Sequence, residues 1–124
     1  MRAWGDDFEP ERFLEEGSFS PCNIFRKGDR KSESRTWDTS GMTIVVSDAS
    51  DDFAQQTVDA IEFLKINRVE TLRLQDSNGL EGIGLDFGVT RRNGLLQSHL
   101  FPAELIRLAG EFSMTLEVSI YGTD

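Results

Sequence analysis

From Leu80 to Val89 the chain alternates without a break, with Ile83, Leu85, Phe87 and Val89 on one side and Gly82, Gly84, Asp86 and Gly88 on the other. Successive residues of a strand point to opposite faces. This segment therefore lays a bulky apolar face on a core and leaves its other face almost bare of side chains. Phe112, Met114, Leu116, Val118 and Ile120 alternate in the same way against Ser113, Thr115, Glu117 and Ser119. Whatever fold the chain adopts must contain a sheet covered on one side. With helical segments between the strands, the expectation is a single α+β domain, a mainly antiparallel sheet with helices packed on one face.

The remaining segments fit around that sheet. Met1 to Gly5 reads as a first strand, and a short helix follows with Pro10 in its first turn and Gly17 just past its end. Pro21 to Ser40 is polar and longer than a usual structureless connection, so it is either functional or mobile. Gly41 to Ser47 reads as a strand through Met42, Ile44 and Val46. Ser50 then caps a helix whose first turn holds Asp51 and Asp52, with Ala54, Val58, Ile61 and Leu64 as the buried stripe and Phe63 and Ile66 outside it. In Arg68 to Asp76, Val69 and Leu72 suit a helix while Leu72 and Leu74 suit a strand; the helical reading is preferred, closed by a turn over Asp76-Ser77-Asn78-Gly79. Asn93-Gly94 predicts a hairpin returning Leu95 to His99 as a paired strand. Pro102 opens the last helix and Gly110 closes it. At 124 residues with no linker or low-complexity stretch, one domain accounts for the chain.

Charge narrows the choice of partner. Acidic residues outnumber basic ones 22 to 13, a net charge of -9. Arg26, Lys27, Arg30, Lys31 and Arg35 against Asp29 and Glu33 make one segment locally +3, leaving -12 on the rest. Such a field repels nucleic acid and anionic lipid and speeds encounter with a cationic protein. The basic segment, flanked by Phe25 and Trp37, either folds back on the chain's own carboxylates or meets an acidic partner; folding back is the simpler reading. No apolar run approaches the roughly 18 residues of a membrane span. The start, Met1-Arg2-Ala3-Trp4-Gly5-Asp6, is unlike a secretory leader, and the one cysteine, Cys22, suits a reducing cytosol. The expected location is the cytoplasm.

Candidate chemistry is sparse. Gly82, Gly84 and Gly88 lie within a strand, and the third falls one place late for a dinucleotide fingerprint, so they serve either close packing or a shallow partner groove with Asp86 as its polar group. Cys22 and His99 would have to be brought together to act as nucleophile and base, and Cys22 reads as a small buried hydrophobe. Asp6-Asp7 and Asp48 with Asp51-Asp52 match no calcium loop, so no metal and no cofactor is expected. Phe63 and Ile66 beside Asp59 and Glu62 would form an apolar spot ringed by acid, unless they contact Phe25, Trp37 or the next helical piece. Asp51, Asp52, Asp59, Glu62, Phe63 and Asp86 are therefore the expected partner-binding residues, and no catalytic group is assigned.

Two strings, Trp4-Gly5-Asp6-Asp7-Phe8-Glu9-Pro10 and Phe25-Arg26-Lys27-Gly28-Asp29, resemble the opening of a small bacterial family, the 4279-type domain of unknown function. Ala60-Ile61-Glu62-Phe63-Leu64-Lys65, Leu85-Asp86-Phe87-Gly88, Gln97-Ser98 and the stretch from Pro102 to Gly110 resemble it too. Phe25 stands where the broader family often has Trp. The resemblance makes Trp4, Gly5, Asp6, Asp7, Phe25, Arg26, Lys27, Gly28 and Asp29 the signature positions. It carries no agreed activity, but it implies a domain of a kind found near secreted-toxin genes, where immunity proteins are small, acidic and cytosolic. The expectation is a non-enzymatic protein-binding domain, an immunity protein neutralising a cognate toxin with a basic surface. The alternative is a small-molecule- or nucleotide-responsive regulatory module using the bare strand face, closed by the 21–40 segment.

Overall fold

In the computed structural model, which describes residues 1–122, the chain runs β1 (Arg2–Gly5), α1 (Pro10–Leu14), β2 (Asn23–Phe25), β3 (Arg30–Ser32), β4 (Arg35–Thr36), β5 (Ser40–Thr43), α2 (Phe53–Ile66), α3 (Arg68–Gln75), β6 (Gly82–Thr90), α4 (Ala103–Glu111) and β7 (Met114–Tyr121). Five strands form one sheet in the order β2-β5-β1-β6-β7, and β3 with β4 forms a separate hairpin. All pairings in the large sheet are antiparallel except β6 with β7. The architecture is α+β in a single small domain.

The alternation in β6 sorts as its side chains demand. Ile83, Leu85, Phe87 and Val89 are buried together with Ala3, Met42 and Met114 from other strands of the sheet and Ile44 just past β5. Leu64 and Ala60 of α2, Leu74 of α3 and Leu105, Leu108 and Ala109 of α4 complete that core. Phe53, Phe87 and Phe101 pack edge-on or tilted with ring centroids 5.1 to 5.4 Å apart. The helices thus cover one face, and the other face has none.

Several expectations are corrected. The Asn93-Gly94 turn makes no hairpin: residues 91–102 form an irregular crossing to α4, and β7 returns parallel to β6 from Ile83↔Met114 to Thr90↔Tyr121. Eight register pairs with β7 outweigh any pairing that Leu95 to His99 could offer. Leu95 and Leu96 lie exposed, while His99 packs tilted against Phe53 with ring centroids 4.8 Å apart. The 21–40 segment is an edge strand plus the β3–β4 hairpin, not a plain loop. The Trp37 N–H donates to Asp29 O and the Gly28 N–H to Trp37 O, closing that hairpin.

The phase of α2 also differs. Its buried residues are Phe53, Thr57, Ala60 and Leu64, while Ala54 is exposed and Val58 is 54% exposed. The Thr57 hydroxyl donates to Ala54 O at 2.7 Å, so a polar side chain can face the core with its hydrogen bond made. Asp52, not Ser50, is the N-cap, accepting from the Gln55 N–H at 3.1 Å. Asp51 lies before the helix with φ 54°. Arg68–Gln75 is helical, as preferred from the sequence. Gly110 lies inside α4, and Ser113, at φ 55°, takes the left-handed position after it.

Candidate functional site

The register places the helix-free face of the sheet residue by residue. Phe25, Gly41, Trp4 and Gly82 form one row across β2, β5, β1 and β6. Asn23, Thr43, Arg2, Gly84 and Thr115 form the next. Beyond them the pairs are Asp86 with Glu117, Gly88 with Ser119 and Thr90 with Tyr121.

One end of the face is aromatic. Phe25 and Trp37 stack at 4.1 Å, and the Arg2 guanidinium lies 5.1 to 5.7 Å from the rings of Phe25, Trp37 and Trp4. Two glycines make this possible. A Cβ on Gly41 would run into the Ala3 carbonyl oxygen and the Phe25 ring, and one on Gly82 would run into the Trp4 indole. At Gly82 and Gly41 the bare face therefore serves packing.

The other end is acidic and open. Asp86 and Glu117 are exposed cross-strand partners, and among the described residues neither is in an ion pair. The Ser119 hydroxyl donates to Asp86 at 2.7 Å. Glu117 escapes sequence reasoning because its nearness to Asp86 follows from the parallel register, which a hairpin expectation hides.

The other predicted partner-binding acids do different work. Asp51 accepts from the Thr90 N–H at 2.7 Å and from the Arg92 guanidinium at 2.8 Å. Arg92, and secondly that N–H, hold its carboxyl below the usual value. Asp59 is likewise lowered, by the Ser47 hydroxyl first and the Gln55 amide second. With Asp52 capping α2, three of the four helix-associated acids hold the chain's own loops in place. Glu62 is exposed, and among the described residues it is in no ion pair. Phe63 is half-buried and stacks on Phe19 at 5.6 Å, a partner not foreseen for it. Ile66 is 72% exposed, beside an exposed Val69.

The signature strings have local structural roles. The Asp6 N–H donates to Glu81, Lys27 pairs with Asp6 at 3.4 Å, and Arg26 pairs with Glu11. The basic segment thus folds back through Arg26 and Lys27, while Lys31 lies 4.6 Å over the Trp37 ring. Gly28 adopts φ 90° in the turn before β3. Cys22, expected buried, is exposed, with its thiol 3.4 Å from Thr43 O, because it precedes an edge strand. Among the described residues no group of three or more His, Cys, Asp or Glu side chains is placed to hold a metal ion, and no helix is long and apolar enough to cross a membrane. No protein-family model, no curated protein and no solved structure matches the chain, so the resemblance in its opening strings rests on those residues alone.

Proposed function

We propose that the chain is a non-enzymatic binding protein whose helix-free sheet face receives a basic surface of another protein, most concretely as a cytoplasmic immunity protein covering the active site of a cognate bacterial toxin. One observation carries this: Asp86 and Glu117 stand opposite each other on an open sheet face, and among the described residues neither is in an ion pair, the largely buried Met1 ammonium being the chain's own cation that interacts with Asp86. Like charges placed directly across a sheet destabilise it. A cationic partner would relieve that repulsion. The net charge of -9 supports the same reading through faster, salt-sensitive encounter.

The small-molecule or nucleotide module has less to support it. The segment that would close over Asp86 is tied to Glu11 and Asp6 through Arg26 and Lys27, and it reaches the bare face through Trp37 at the opposite end. The test is size-exclusion chromatography of this chain with the product of the adjacent reading frame at micromolar concentration. A complex that weakens with added salt and with Asp86→Asn/Glu117→Gln is expected. No complex, or one indifferent to both, contradicts the reading.

A further inference from the structure

β7 closes the sheet order β2-β5-β1-β6-β7, and among the described residues it is paired on one side only. The Arg91 N–H donates to Tyr121 O, so the odd-numbered residues of β7 turn their backbone groups toward β6. These groups alternate sides along a strand, which directs the N–H and C=O of Leu116, Val118 and Ile120 away from the sheet. Natural proteins blunt such an edge with brevity, Pro, Lys or a bulge. The opposite edge, β2, is three residues long and follows Pro21. β7 runs for eight residues in unbroken register and holds no Pro, Lys or Arg.

The covered side of this edge is apolar and unfinished. Met114 is buried, Leu116 and Val118 are half-buried, and Ile120 is 52% exposed, so the core-facing row emerges along the strand. α4 packs on β7 while α2 packs on β6. Glu104 and Glu111 turn one flank of α4 to Lys65 of α2 and Arg68 of α3. Helical spacing puts Ile106 and Gly110 on the other flank, above the free edge. Ile106 is 54% exposed, and a Cβ on Gly110 would meet nothing within 4 Å, which leaves room for a close approach.

We infer that β7 pairs antiparallel with β7 of a second copy of this chain, about a two-fold axis at Val118. A two-fold contact brings one patch against itself, so the patch must be self-complementary. With the axis at Val118, Leu116 lies opposite Ile120 of the other copy and Val118 opposite its own counterpart. Each of these pairs exchanges two backbone hydrogen bonds, because all three residues point their N–H and C=O outward. On the helix-free face Glu117 then lies opposite Ser119, and Thr115 opposite Tyr121. An axis at Glu117 would instead set two carboxylates directly opposite each other. An axis at Ser119 would set Leu116 opposite Gly122 and give up an apolar pair. The Val118 register still leaves the two Glu117 residues diagonal neighbours at roughly 7 to 8 Å. The inference goes beyond the protein-binding reading and does not rest on it.

Sedimentation velocity of the full chain by itself is the test, so a negative result leaves the partner-binding reading intact. An edge seam buries less than the roughly 800 Å2 per partner of a standard interface, so the chain should sediment as a monomer at micromolar and as a dimer near millimolar concentration. Ile120→Lys, at an exposed position, should abolish the dimer, and Glu117→Gln should strengthen it several-fold. Residue-resolved hydrogen exchange on the wild-type chain gives the second readout, independent of how any variant folds. The amides of Leu116, Val118 and Ile120 should slow at least several-fold between the dilute and the concentrated sample, whereas those of Glu117 and Ser119, which face β6, should be protected in both. A monomer at millimolar concentration overturns the inference. So does a dimer in which those three amides exchange as fast as in the monomer, one that survives in an Ile120→Lys chain, or one that Glu117→Gln weakens.

Discussion

At Gly82 the Trp4 indole lies where a side chain would begin, and that contact fixes the aromatic end of the open face. Gly82→Ala should destabilise the fold by about 1 to 3 kcal/mol, the usual range for forcing an atom into a packed site, as read by denaturant unfolding. Glu117→Gln should do the opposite. Removing one of two like charges across the sheet should stabilise by roughly 0.2 to 1 kcal/mol while weakening partner binding, the pattern of a site kept for function. Asp51 gives a pH signature. Its ordinary value is 3.8, and Arg92 and the Thr90 N–H lower it in the folded state. The stability it adds is whole above that ordinary value and is lost as pH falls through the lowered one. Thermal melts of Asp51→Asn should therefore fall below wild type near neutral pH and converge with it in acid.

The elements show what local pattern can and cannot reveal. β6 and β7 were legible because strict alternation of apolar and small or polar residues has few other solutions, although only β6 alternates in burial throughout, Ile120 of β7 being 52% exposed. In α2 the expected stripe holds at Leu64, which is fully buried, and in part at Ile61, but fails at Ala54 and Val58: Val58 is more apolar than Thr57, yet Thr57 is the buried one, with its hydroxyl bonded to Ala54 O. Asn93-Gly94 carries a strong local turn signal, but the competing β7 lies beyond α4, where a local rule does not look. The β3–β4 hairpin gave no alternation because both of its faces are exposed. At the start of α2, Asp52 caps the helix, and Asp52→Ala should cost about 1 kcal/mol in urea unfolding without changing partner affinity. That outcome separates the capping acids from the acids of the open face.

For the whole molecule, the sequence disclosed a covered sheet and an acidic field, but not where acid meets open surface. Asp51, Asp52 and Asp59 look like a patch along the chain, yet in space each holds a loop or a helix end. Asp86 and Glu117, 31 positions apart, become neighbours only through the parallel register. Their position on a helix-free face is the centre of the account. The most direct measurement is bacterial growth with the adjacent reading frame expressed alone, with this chain, or with its Asp86→Asn/Glu117→Gln variant. Growth rescued by the wild-type chain and lost again with a variant that melts no lower than wild type is the predicted result. A harmless neighbour, killing that continues in the presence of the wild-type chain, or full rescue by the variant would contradict it.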